Sequence, residues 1–162
     1  MKMIFGATRK ELGNFANLIY KNLKVVAMYL NFLTQREKEL FLKLAYEVSK
    51  ADGKLLEEET KLIHQFAEEM QISPEEMAEE GTDVILNEIA QNSTNKVKRI
   101  IFTELLAIAL VDNNFANSEI SLMSDVANAF NISSEQMTQT LKAIILYVHA
   151  SNMIVELIEG EE

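Results

Sequence analysis

The feature that most restricts the fold of this chain is an internal repeat. With residues 92–137 laid over residues 32–77, a single offset of 60 holds without a gap. Asp52 falls on Asp112, Glu59 on Glu119, Leu62 on Leu122 and Ala67 on Ala127. Ile72-Ser73 falls on Ile132-Ser133, Glu75 on Glu135 and Met77 on Met137. Other pairs match in kind, such as Leu40 with Ile100, Val48 with Ile108 and Met70 with Phe130. A repeat of this length is a supersecondary unit used twice, so two related halves sharing one core are expected.

Composition points the same way. The chain has 162 residues with 48% hydrophobic, enough for one domain with a sizeable core. One Pro and five Gly leave helices with few breakers. The lack of Cys excludes disulfides and thiolate metal sites and fits a reducing compartment. The net charge of −10 makes nucleic acid a poor partner. That charge is uneven: residues 1–36 carry +5, from six Lys and Arg against Glu11, so the rest carries −15. A basic arm of this kind docks on its own acidic body or meets an anionic surface. No signal peptide or clean apolar run of about 20 residues stands out, so the chain is expected to be cytoplasmic.

Helix signals are frequent. Thr34-Gln-Arg-Glu37 forms a capping box, and apolar residues follow at Leu40, Phe41, Leu44, Ala45 and Val48. Gly53 offers a stop, and Glu57, Glu58 and Glu59 suit the first turn of the next helix, which buries Leu62, Ile63, Phe66 and Met70. Ser73-Pro74-Glu75-Glu76 opens another helix, which Gly81-Thr82 breaks or kinks before Val84–Ala90. The second half predicts helices over Lys96–Val111 and Asn117–Phe130. A long last helix then runs from the Ser133 cap to about Ile158. Thr8–Leu33 reads as one or two further helices, and nothing reads as a strand. The expectation is an all-α bundle of about seven or eight helices. Its parts are a basic amphipathic extension at 1–33 and a domain at 34–159, with repeat one at 34–91 and repeat two at 92–159.

The chemistry-bearing candidates are the acids that survive in both copies. Asp52 with Glu59, and Asp112 with Glu119, are each seven residues apart across a helix–helix turn, so the two carboxylates of a pair can converge. Oxygen ligands of this sort suit calcium or magnesium rather than zinc, although the spacing is not that of an EF-hand. The same residues also suit purely local roles: Glu at the third helical position satisfies a cap amide, and Asp shapes a turn. His64 and Glu68 share a helical face as a surface pair. His149, in an apolar stretch, reads as a core histidine, and the eight Met read as core filling. No phosphate loop or nucleophile–base constellation occurs, which leaves an enzyme the weakest expectation. A deeply buried acid beside a pocket would be the sign of one.

Val48-Ser-Lys-Ala51-Asp52-Gly53-Lys-Leu55, followed by Glu59, resembles the signature of TerB-like domains. In that pattern a helix ends in Ala-Asp-Gly, an apolar residue follows, and a Glu opens the next helix. Ile108-Ala-Leu-Val-Asp112-Asn113-Asn-Phe115 with Glu119 repeats it, with Asn113 in place of the Gly. The resemblance covers about residues 34–145. It implies an all-helical bundle of two related halves, a link to bacterial tellurite resistance and stress response, and an accessory or scaffold role without enzyme activity. It also implies metal sensing through Asp52, Glu59, Asp112 and Glu119.

Two partner expectations accompany this. One is a protein partner or peripheral membrane contact through the basic arm, whose stripe is Leu18, Ile19, Leu23, Val26, Ala27 and Leu30. The other is a homodimer, because the apolar residues along Ile144–Ile158 suit either a core or a dimer interface, and periodicity does not separate these.

Overall fold

The computed structural model describes residues 29–50, 57–73, 80–110 and 117–160. These residues form a short 3-10 helix, Leu30–Phe32, and six α-helices: α1 Gln35–Ser49, α2 Glu57–Met70, α3 Thr82–Asn92, α4 Asn95–Ala109, α5 Asn117–Ala129 and α6 Ser134–Glu159. No strand occurs among the described residues, so the all-α expectation holds. The helices expected over residues 8–28 and from Pro74 lie outside the described residues. The end of the first does differ. Residues 30–32 make a 3-10 turn and Leu33 is extended, because the chain must bend there to bury Leu30 and Leu33 in the same core as the helices.

The helix starts follow from their caps. Thr34 accepts from the Glu37 amide at 3.4 Å while Glu37 accepts from the Thr34 amide at 2.9 Å. Ser133 and Gln136 form the same reciprocal pair at 3.2 and 2.9 Å. Both boxes satisfy amides that a helix start leaves open. Thr94 caps α4 through the Val97 amide alone, since Val97 cannot reach back. Gly81 is the N-cap of α3, which starts at Thr82.

Two helix ends close alike. At the end of α2, Gln71 is left-handed at φ 59° and donates to the Glu68 carbonyl, while Ile72 donates to the Ala67 carbonyl. At the end of α5, Asn131 is left-handed at φ 55° and donates to Asn128, while Ile132 donates to Ala127. In each case Ile packs back over the buried Ala, which folds the chain inward.

α1 and α4 form the middle of the bundle. α1 packs on α2, α3, α4 and α5, and α4 packs on α1, α5, α6 and the 3-10 turn. Both put fully buried apolar side chains into the core: Phe41, Leu44 and Val48 from α1, and Ile101, Leu105 and Ile108 from α4. The Phe41 and Phe66 rings meet edge-on, 5.7 Å between centroids, and join α2 to this core.

Outside the core, charge straps α1 to α3. The Arg36 guanidinium donates to both carboxylate oxygens of Glu88 at 2.7 Å, and Lys43 Nζ donates to Glu80 at 3.0 Å. The guanidinium holds the Glu88 carboxyl below its usual value of 4.5. Burial pushes the Glu37 carboxyl up, but donors from Thr34 and from Ser93 at the end of α3 outweigh it, and this group too sits below 4.5.

Gln71→Gly should stabilise by about 0.5–1 kcal/mol in urea unfolding, and Asn131→Gly by less, because Asn tolerates the left-handed region. Both depressed carboxyls contribute stability that is complete above their unfolded value and lost as pH falls through their folded values. Glu88→Gln should therefore cost about 0.5–1 kcal/mol at neutral pH, a partly exposed pair's worth, and nothing once both forms are protonated. Unfolding curves at neutral and acid pH check this.

Candidate interaction surface

Of the repeated acids, Asp52 and Asp112 lie outside the described residues, as do the side chains of Glu59 and Glu119. The backbone places Glu59 third in α2 and Glu119 third in α5, the position that serves a cap amide. No group of three or more His, Asp or Glu side chains converges among the described residues. His64 and Glu68 are both exposed on α2.

Two expectations about α6 need correction. His149 is exposed rather than core, and Met153 is 51% exposed rather than filling. Both follow from one fact: apolar neighbours in this helix do not all face the bundle. Leu141, Ile144, Val148 and Asn152 are buried, at the spacing of one helical face. On the other side Leu146 (68%), Ile154 (56%), Leu157 (81%) and Ile158 (77%) stand in solvent, with Tyr147 and Met153 half exposed. A contiguous apolar stripe of this size marks a binding surface more often than an idle one. By length and composition α6 is also apolar enough to cross a membrane, and only 22% of its most apolar stretch is buried in the bundle.

The stripe runs into a hollow. Between α4 and α6 lies a cavity of about 320 Å³ lined by Arg99, Phe102, Thr103, Ile132, Gln136, Gln139 and Thr140. A second, of about 440 Å³, lies on the other side of Arg99 and Thr103 and is walled by Tyr29, Phe32, Lys96 and Ile100. Phe32 is 61% exposed, and Lys96 Nζ sits 4.5 Å from its ring centre. Arg99 and Thr103 are thus the floor shared by both hollows, the one strip of α4 that reaches the surface between its ends.

α4 also holds two buried polar side chains that helical periodicity does not single out. Lys98 donates to the Ala90 carbonyl at 2.6 Å, near the negative end of α3. Glu104 is fully buried and its Oε1 accepts from the Tyr29 amide at 2.8 Å, which fixes the 3-10 turn against α4. A signal for it was present: 60 residues earlier the equivalent position is Leu44, so an acid replaces a buried Leu. Glu104 is the kind of acid that would suggest catalysis, but it lines neither hollow and serves a backbone donor.

The chain matches no known family model, no curated protein and no solved structure.

Glu104→Leu keeps the apolar volume of the first copy and removes the acceptor. Hydrogen exchange at the Tyr29 amide should quicken by about tenfold, the worth of one buried hydrogen bond, while amides in α2 exchange as before. Unchanged protection at Tyr29 would show that the turn is held by packing alone.

Proposed function

We propose that this chain is a non-enzymatic helical interaction module of the TerB-like type, built from two related halves, and that the outer face of α6 is its working surface. The observation that carries the functional part is the exposed apolar stripe of α6, which holds six of the nine exposed large apolar side chains among the described residues. A helix that had only to complete the bundle would turn polar residues outward.

The two-halves part is supported by geometry. α1 and α4 begin at residues 35 and 95 and end at 49 and 109, and α2 and α5 begin at 57 and 117, each 60 apart. The left-handed closures at Gln71 and Asn131 stand at the same interval. Helices upstream of the 3-10 turn and between α2 and α3, as their sequences predict, would bring the number to eight. A divalent cation, calcium or magnesium ahead of zinc, held at Asp52, Glu59, Asp112 and Glu119, is the secondary part of the proposal. It is supported by the recurrence of those acids in both copies.

Charge placed on the stripe tests the first part. Ile154→Glu with Leu157→Glu should keep the helical circular dichroism, since both side chains are exposed. It should abolish the parent's associations, read as sedimentation and as binding to phosphatidylcholine vesicles. A variant that sediments and binds like the parent removes α6 from the function. Calorimetric titration of chelator-treated protein tests the second part. Saturable ion binding that raises the melting temperature and vanishes in Asp52→Asn with Asp112→Asn is expected. A flat titration leaves those acids as caps and turn formers.

A further inference from the structure

We infer that the outer stripe of α6 is a two-fold interface. A second copy of this chain lies antiparallel along it, and Leu157 of each copy enters the other's hollow between α4 and α6. The inference rests on the reading of α6 as the working surface and names its occupant.

The first argument is shape. Ala143, Tyr147, Ala150, Ile154 and Leu157 are all exposed and follow each other at alternating steps of four and three. That is the a/d seam of a helix pair, with Tyr147 and Ile154 at a and the others at d. Antiparallel pairing sets an a residue against a d residue. With partners whose numbers sum to 297, Ala143 meets Ile154 and Tyr147 meets Ala150, each twice by symmetry. Large side chains then face small ones throughout. Parallel pairing would set Tyr147 on Tyr147 and leave Ala143 on Ala143, alternately crowded and empty. Leu146 and Met153, both exposed, flank the seam on one side.

The second argument is the hollow. Gln136, Gln139 and Thr140, which form its α6 wall, continue the stripe toward the start of the helix. In the register above, Thr140 lies opposite Leu157, the most exposed apolar residue of the stripe at 81%. Phe102 and Ile132 offer that side chain an apolar floor. A projecting knob and a matching hollow on one surface, set the right distance apart along one helix, make a self-complementary contact.

Charge gives a third argument. The far end of α6 carries Glu156 and Glu159, and the near end carries Glu135 and Lys142, with Arg99 of α4 facing it. Antiparallel packing sets the two acids of the far end against the end that holds both cations, whereas parallel packing sets acid on acid there.

Because the chain contains no Cys, single cysteines report the register directly. The full-length parent should sediment as a dimer, and Leu157→Glu should weaken it at least about tenfold, as expected for a residue seated in a pocket. Ala143→Cys mixed with Ile154→Cys should give a mixed disulfide, with little cross-linking of either variant alone. A parent that stays monomeric at all concentrations overturns the inference. So does Ala143→Cys that cross-links to itself as readily as to Ile154→Cys, which is the parallel arrangement. A monomer that still binds phosphatidylcholine vesicles through the stripe defeats the dimer and spares the wider reading of α6. Stripe variants with no effect on either association defeat both.

Discussion

The bundle depends on the burial of α4. From Val97 to Ala109 only Arg99 and Thr103 reach solvent, so this helix must find apolar partners on almost every side. It finds them in α1, α5, α6 and the 3-10 turn. Burial on this scale leaves little tolerance for polar groups, and the two that are present each hold a backbone atom. Lys98 takes the Ala90 carbonyl at the end of α3. Glu104 takes the Tyr29 amide just ahead of the 3-10 turn. The hydrogen bonds offset part of the cost of desolvation and also set where the neighbouring segments begin.

The same constraint positions the surface. Because α4 exposes only the strip of Arg99 and Thr103, that strip becomes the floor of two hollows, one walled by Tyr29 and Phe32 and the other by α6. α6 packs on α4 at the edge of the bundle, with one apolar face in the core and a second in solvent. A helix with two apolar faces has satisfied only one of them within its own domain, which is why function is sought there rather than at the charged face of α1 and α3. That charged face is already engaged with itself, through Arg36, Glu88, Lys43 and Glu80.

Local signals were legible. The Thr34 and Ser133 capping boxes and the core positions of α1 and α2 could be read from spacing, because a cap or an amphipathic turn involves residues within four of each other. Glu104, Phe32 and Arg99 were not legible as a set. Their roles depend on residues 29 and 99 meeting across the fold, and no local pattern encodes that. His149 and Met153 were misplaced for a related reason. Hydrophobicity reports that a side chain avoids water, and does not say whether its own domain or another body covers it.

The order of residues alone therefore determined the all-helical class and the capped helix starts after Thr34 and Ser133. Each of these follows from backbone hydrogen bonding and from a period of about 3.6 residues, which act over one or two turns. Only the packing of distant helices decided which face of α6 met the core and that an acid could be buried at Glu104. It also decided that Arg99 and Thr103 would lie open between two hollows. Those outcomes turn on which surfaces compete for the same buried volume, a property of the assembled bundle rather than of any segment.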